Sequence, residues 1–422
     1  MRAPWLTLAF SAALLSPATA ATVGADAPAR RAAMPTDGHA RIPHISPESA
    51  GMSVTRLAQI DEVVRRGISA GGFPGAAVIV GRRGAIVWER GYGTLDWQSR
   101  VPVDAERTMY DLASLTKVVA TTAAAMVLVD RGRLGLDEPV VRYLPAFSGG
   151  QRNAITIRDL LTHRSGLPAG RDLSRLATGP VSARQAVLST PLARKPASRV
   201  EYSDLGPDVL GFVIEGIARE PLDQFVRRAL YEPIGMHSTT FRPAAALRAR
   251  IAPTAGPIAR GEVHDGSARA LGGVAGHAGL FATAGDLAVF AQLMLDRGVS
   301  RATRFFADST VSAFTQPGPG WRALGWETCS GGGSCGRYLS PRAFGHTGFT
   351  GTSMWIDPDR ELFVIVLTNW VHGRAGGGVA PVAVLHDVRG DVVDLAALSI
   401  SDGGEEHALP WRLRSELQIG WW

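Results

Sequence analysis

Ser114-Leu115-Thr116-Lys117 stands near the start of a long alanine-rich helix predicted over 112–130 and ending near Gly132. Residues three apart on a helix share one face, one turn apart, so this spacing brings a hydroxyl and an amine within reach. A serine hydroxyl is a weak nucleophile until a neighbouring base takes its proton. Lysine serves as that base when burial or nearby cations lower its pKa. Composition sharpens the reading. Lys117 and Lys195 are the two lysines among 44 basic residues. A chain that uses arginine nearly everywhere else has kept at Lys117 an amine that can lose a proton, which a guanidinium cannot. If the helix starts near Ser114, its N-terminal dipole also favours an oxyanion there.

Outward from this turn, the middle of the chain reads as helical. Thr156 and Asp159 have the spacing of a capping box for a short helix running to His163. Further helices are predicted over 209–218, 222–230 and 285–295. β signals lie at both ends. A helical period over 54–68 is followed by strands over 77–80 and 85–89, joined by Gly81-Arg82-Arg83-Gly84. Short strand runs return over 324–328, 343–346, 352–356 and 362–367, and a last helix is predicted over 379–397. The economical architecture is α+β: one sheet built from both chain ends with helices packed on it, and a helical lobe, residues 114–295, inserted between. The cleft between the lobes is the expected site.

Two further motifs carry chemistry. Tyr202-Ser203-Asp204 offers a phenol that can relay a proton and a carboxylate that can pair with Lys117, or cap the next helix. Gly345-His346-Thr347-Gly348-Phe349 lies between strand-like runs and suits a strand edge that a ligand approaches closely. His264, His277 and His372 sit in glycine-rich segments. Trp321 and Trp326 read as packing residues or as sugar-stacking ones.

The three motifs, in this order, resemble those of the serine β-lactamase and penicillin-binding protein superfamily, in its class C β-lactamase-like branch. The stretches TIRDLLTHRSGLP (156–168), LGGVAGHAGLF (271–281) and 355–369 also resemble that family, so the likeness covers about 45–369. It implies a transpeptidase-like fold, an antiparallel sheet flanked by helices beside an all-helical lobe. It implies attack on a carbonyl by Ser114, proton transfer through Lys117 and Tyr202, and an oxyanion hole from the N–H groups of Ser114 and Phe349. Asp204, His346, Thr347 and Gly348 would line the substrate site. Two positions depart from the lactamase pattern: Asp204 replaces an asparagine and His346 a lysine. Both weaken the case for β-lactam hydrolysis. They suit an amidase, peptidase or esterase acting on amide or ester bonds, with cell-wall muropeptides as one substrate class. A non-catalytic sensor of such fragments, a D-Ala-D-Ala acyl transferase and a short-chain esterase are the alternatives. No metal or organic cofactor is implied.

The ends and composition set the setting. Arg2, an apolar stretch over 5–15, Pro17 and Ala18-Thr19-Ala20 read as a signal peptide cleaved after Ala20. Residues 21–44 read as a linker, 45–400 as a single catalytic domain and 401–422 as an irregular tail. No later apolar run is long enough to span a bilayer. The expected location is the periplasm or the extracellular space. Basic residues are scattered and the net charge is +6 over 422 residues, which argues against nucleic-acid binding. Cys329 and Cys335 bracket Ser-Gly-Gly-Gly-Ser and read as a small disulfide loop or as two free thiols.

Overall fold

The computed structural model describes residues 42–402, apart from 319, 330–332 and 375–377. The expected signal peptide, residues 21–41 of the linker and the tail beyond Asp402 lie outside the described residues. The strands in chain order are β1 (Gly75–Arg82), β2 (Ala85–Gly93), β3 (Tyr110–Asp111), β4 (Thr240–Phe241), β5 (Leu280–Ala282), β6 (Val299–Ser300), β7 (Thr303–Arg304), β8 (Glu327–Thr328), β9 (Phe344–Gly348), β10 (Thr352–Asp357) and β11 (Leu362–Thr368). Six of them form one sheet in the order β2-β1-β11-β10-β9-β8, with every pairing antiparallel. β1 pairs with β11, so the two chain ends meet inside the sheet.

Central strands must be apolar on both faces. The runs Ala76–Val80 and Phe363–Leu367 supply this without a break, and both are buried. Ala77, Ile79, Met354 and Ile365 face one side. Val78, Val80, Trp355 and Val364 face the other. The second face is covered by the Gln59–Ser69 and Val382–Leu398 helices, and the first by the Ala284–Leu295 helix. That last helix therefore belongs to the sheet layer rather than to the helical lobe in which the 114–295 boundary placed it. The lobe proper gathers the short helices Val140–Tyr143, Ile157–Leu161 and Leu222–Val226, with Leu205–Ala218, around the helix that follows Ser114.

Several boundaries differ from the sequence reading. The helix expected over 112–130 begins at Leu115, because Leu112–Ser114 form a turn with Ala113 at φ 45°. Its next turn, Lys117–Thr122, is a π-helix, a local widening frequent at functional sites, and Ala123–Asp130 continues as α-helix. The first hairpin turns on Arg83-Gly84 alone, both left-handed, so β1 continues through Arg82. The strand expected over 324–328 is reduced to β8, with Gly325 at φ 85° ahead of it. Leu205–Ala218 starts four residues before the expected 209, since Pro207 is tolerated in a first turn. The capping box at Thr156 and Asp159 is present in full, and its helix ends at Leu161. The small sheet β3-β5-β4 was missed because strands of two or three residues carry no period. The domain also reaches past 45–400. Ile42 is buried and His44 bridges to Ile86, while Ser401 and Asp402 dock on Gly51 and Arg82.

Candidate active site

The loop that carries Ser114 is held from several sides. Asp111 ends β3, and its buried carboxylate accepts the N–H of Ala113 (2.9 Å) and of His264 (2.6 Å). Burial pushes this carboxyl up to about 6, with the two N–H groups pulling the other way. The Asp111 carbonyl accepts the Thr350 hydroxyl (2.6 Å), and the Leu112 carbonyl accepts that of Thr352 (3.0 Å). The end of β9 is pressed against the same loop. A Cβ at Gly348 would lie 2.2 Å from the Leu112 oxygen, so only glycine permits this approach.

Ser114 Oγ accepts hydrogen bonds from Lys117 Nζ (2.8 Å) and Tyr202 Oη (3.0 Å). Lys117 is 2% exposed. Its ammonium also pairs with Asp204 (2.7 Å) and donates to the His277 carbonyl (3.3 Å), which uses all three of its donors. Burial works to lower the Lys117 pKa. Electrostatic attraction to the Tyr202 oxygen and the Asp204 carboxylate, with hydrogen bonds to both, outweighs it, and the pKa stands above its ordinary value. This corrects the expectation of an amine lowered by burial. Lys117 rests as an ammonium, hydrogen-bonded to Ser114 Oγ and 4.9 Å from the centre of the Tyr202 ring. Of the readings open for Asp204, the ion pair with Lys117 is present, and its side chain makes no cap hydrogen bond to the next helix.

Tyr202 rests on a buried base. The His163 ring lies 4.6 Å from the Tyr202 ring, and its Nδ1 accepts the Ser203 N–H (3.1 Å). Burial, helped by Arg322 and Lys117, holds His163 well below its ordinary pKa, so it is a neutral acceptor. The Ser203 hydroxyl donates to Pro168 O, and the Asp204 N–H to Ala169 O. The Arg322 guanidinium stands 5.2 Å from the centre of the Tyr202 ring and pairs with Glu327 (3.2 Å). His346, expected to meet a substrate carboxylate, is 1% exposed. Its ring lies 6.1 Å from that of Tyr202, and its Nδ1 hydrogen-bonds Thr347 O (2.7 Å). Burial lowers its pKa to about 4, so it is neutral, and its ring stands beside that of Tyr202.

Among the described residues, β8 pairs on β9 only with Phe344 and Gly345, which leaves the outer edge of β9 unpaired from His346 onward. Thr347 and Gly348 lie on that edge, with Phe349 just after it and 65% exposed. Among the described residues, neither the Ser114 nor the Phe349 backbone N–H is hydrogen-bonded to a protein acceptor. Both are therefore free to receive a carbonyl oxygen. The turn that carries Phe349 is pinned from below by Arg389, whose Nη2 donates to Gly348 O (2.8 Å) and Thr352 O (2.7 Å).

The sequence model of the beta-lactamase family matches residues 60–387. The chain belongs to that family. A "Putative D-alanyl-D-alanine carboxypeptidase" of Escherichia coli O157:H7 is 34% identical, over 78% of this chain and 85% of its own length. The "N-acetylmuramyl-L-alanine amidase" of Bacillus subtilis is 34% identical over 78% of this chain and 84% of its own. A penicillin-binding protein homologue from Caulobacter crescentus has the same fold, with a TM-score of 0.67 at 20% identity, over 83% of this chain and 99% of that one. Like its relatives in the beta-lactamase family, this chain is a serine hydrolase.

Several parts of this beta-lactamase-family site were not singled out from sequence. Asp111, His163, Thr350, Thr352 and Arg389 all act by positioning, and no residue spacing announces them. His277 is buried between Asp208 (2.8 Å) and Asp265 (3.0 Å). Burial works against its charge and the two carboxylates overcome it, so its pKa stands well above the ordinary value. It thus anchors the segment whose carbonyl holds Lys117. His264 stacks on Phe349 (5.8 Å), and His372 Nδ1 bonds Thr254 O (2.8 Å). Trp326 is fully buried, whereas Trp321 is exposed. Cys329 and Cys335 form a disulfide.

Proposed function

We propose that this chain is an exported hydrolase that cleaves amide or ester bonds of cell-wall muropeptides through an acyl-enzyme on Ser114. The observation that carries the reading is Ser114 Oγ hydrogen-bonded at once by Lys117 and Tyr202. The reactive form holds one proton fewer than the fully protonated set of these three groups. As Ser114 Oγ attacks the carbonyl carbon, its proton passes to the Tyr202–Lys117 pair. The carbonyl oxygen takes the negative charge and is met by the Ser114 and Phe349 N–H groups. When the tetrahedral species collapses, the carbon–leaving-group bond breaks and Tyr202 returns the proton to the departing nitrogen or oxygen. Water then repeats the sequence on the acyl-serine and releases the acid.

Two relatives whose names describe cell-wall amide cleavage support the substrate class. The neutral, buried His346 supports it too, since a lactamase-type cation for the substrate carboxylate is missing at that position. Export fits such a substrate and the signal-like first 20 residues. The test treats purified mature protein with a fluorophosphonate probe and records the intact mass, with Ser114→Ala beside it. One adduct on the wild type and none on the variant is the expected result. Turnover of muropeptides should then exceed that of nitrocefin, with Ser114→Ala inactive on both. Cleavage that survives Ser114→Ala would overturn the proposal.

A further inference from the structure

Behind the segment that supports Ser114 lies an open cavity of about 380 Å³ lined by Arg242, Arg248, Arg260 and Arg269. Its walls also include Val263, Pro243 and Phe281, and Glu262 is the one carboxylate on the lining. Four guanidinium groups in one concavity repel each other, and the chain only partly relieves this. Arg242 pairs with Asp223, Arg260 with Asp96, and Arg269 with Glu262 (3.5 Å). Arg248 is exposed, and among the described residues its guanidinium makes no hydrogen bond or ion pair. Four cations against three carboxylates leave an excess of one positive charge, concentrated at Arg248.

The cavity is also partly preorganised. Arg269 Nη1 is fixed by the carbonyls of Val263 (2.6 Å) and His264 (2.7 Å), so the ordering of one guanidinium precedes any ligand. A Cβ on Gly273 would come within 3.1 Å of the Arg242 stem, which places that side chain along the wall. The volume lies in the range of small-molecule sites. A guanidinium presents a planar fork of donors that matches a carboxylate or phosphate. The groove backs on the reaction centre. Val263 lines it, and the next residue, His264, donates to Asp111 and stacks on Phe349. Phe281, also on the lining, pairs in register with Asp111.

We propose that this groove is an accessory site for a small oxyanion-bearing molecule, a carboxylate or a phosphate ester, received by Arg248 and flanked by Arg242, Arg260 and Arg269. The proposal stands apart from the hydrolytic reading, because binding needs no Ser114 chemistry. Calorimetric titration of the mature protein at low salt, with citrate and inorganic phosphate as probes, tests it. Saturable binding at one site is expected, and it should weaken as salt rises. Arg248→Gln should weaken it roughly tenfold, and Arg248→Gln with Arg242→Gln should remove it. Ser114→Ala should bind as wild type does, and hydrolysis of a neutral short-chain ester should be unchanged in Arg248→Gln. Displacement of the probe by an L-alanyl-γ-D-glutamyl peptide would identify a carboxylate source, and displacement by glycerol phosphate a phosphate source. Two results would overturn the site: no saturable binding of either probe below about 10 mM, or equal affinity in the wild type and the double variant while both melt at the same temperature.

Discussion

The pockets around Lys117 and Arg389 each bury a cation next to the nucleophile loop, and they treat it in opposite ways. Lys117 is 2% exposed and has a carboxylate at 2.7 Å, a phenol, a hydroxyl and a carbonyl around it. Its charge is compensated and its pKa rises. Arg389 is 3% exposed; among the described residues it touches two carbonyls but no carboxylate, and its Nε has no hydrogen-bond partner. Burial lowers its pKa to about 9, and only the more distant Glu327 opposes this. A cation poised for chemistry needs counter-charges that hold it ready beside a reacting oxygen. A cation that braces backbone can be left uncompensated, at a cost in stability. The sign follows. Arg389 stays charged at neutral pH in the folded and the unfolded chain alike, so the full cost of burying that charge is present there. Lys117 contributes stability that is complete below its ordinary 10.5 and is lost as pH rises through its higher folded value.

Removing each cation separates the two cases. Lys117→Met should lower kcat by roughly 10³-fold or more, because the charge beside Ser114 and Tyr202 disappears. Steady-state kinetics on an ester substrate would show it, and a loss under tenfold would break the comparison. Arg389→Met should lower kcat by about 10-fold to 10²-fold, since the turn that carries the Phe349 N–H, the proposed oxyanion donor, loses its support. The melting temperature should hold or rise, because an uncompensated buried charge is gone. A variant that melts early and keeps its kcat would make Arg389 purely structural.

Asp204→Asn sharpens the account of Lys117. It removes one of the charges that raise this pKa, so the Lys117 titration should move down. Lysine-labelled NMR reads this directly, because Lys195 is the other lysine and is exposed. A Lys117 signal that does not move would discount the ion pair. The smallest effect concerns His346. Its folded pKa of about 4 lies below the ordinary 6.5, so the unfolded chain takes up the proton first and stability falls as pH drops through that window. The drop from this group is about 3 kcal/mol. Melting curves of His346→Gln should be flatter between pH 6.5 and 4 than those of the wild type. Burial of His163 leaves a residual slope of the same sign.

What the sequence determined was local. The Ser114–Lys117 spacing needs only one turn of chain, and the pair is found at 2.8 Å. The Thr156–Asp159 capping box spans three residues. The apolar runs of β1 and β11 mark buried central strands whatever their neighbours, and the order of the motifs carried the family. Contacts between distant parts of the chain were decided by tertiary structure. Asp204 could equally cap its helix or meet Lys117, and only packing on the 163–169 segment turned it toward the lysine. His346 was read as a ligand-facing residue because strand alternation does not say what covers a face, and the lobe covers that one with Tyr202. Arg389 lies 41 residues beyond Gly348 on a helix whose role in the site depends on sheet register, which no short-range pattern encodes. The arginines of the groove come from segments around 242–248, 260 and 269, scattered along the chain until the fold brings them to one cavity. Short-range geometry is set by bond lengths and dihedral angles. Charge compensation, burial and convergence depend on which surfaces the folded chain brings together.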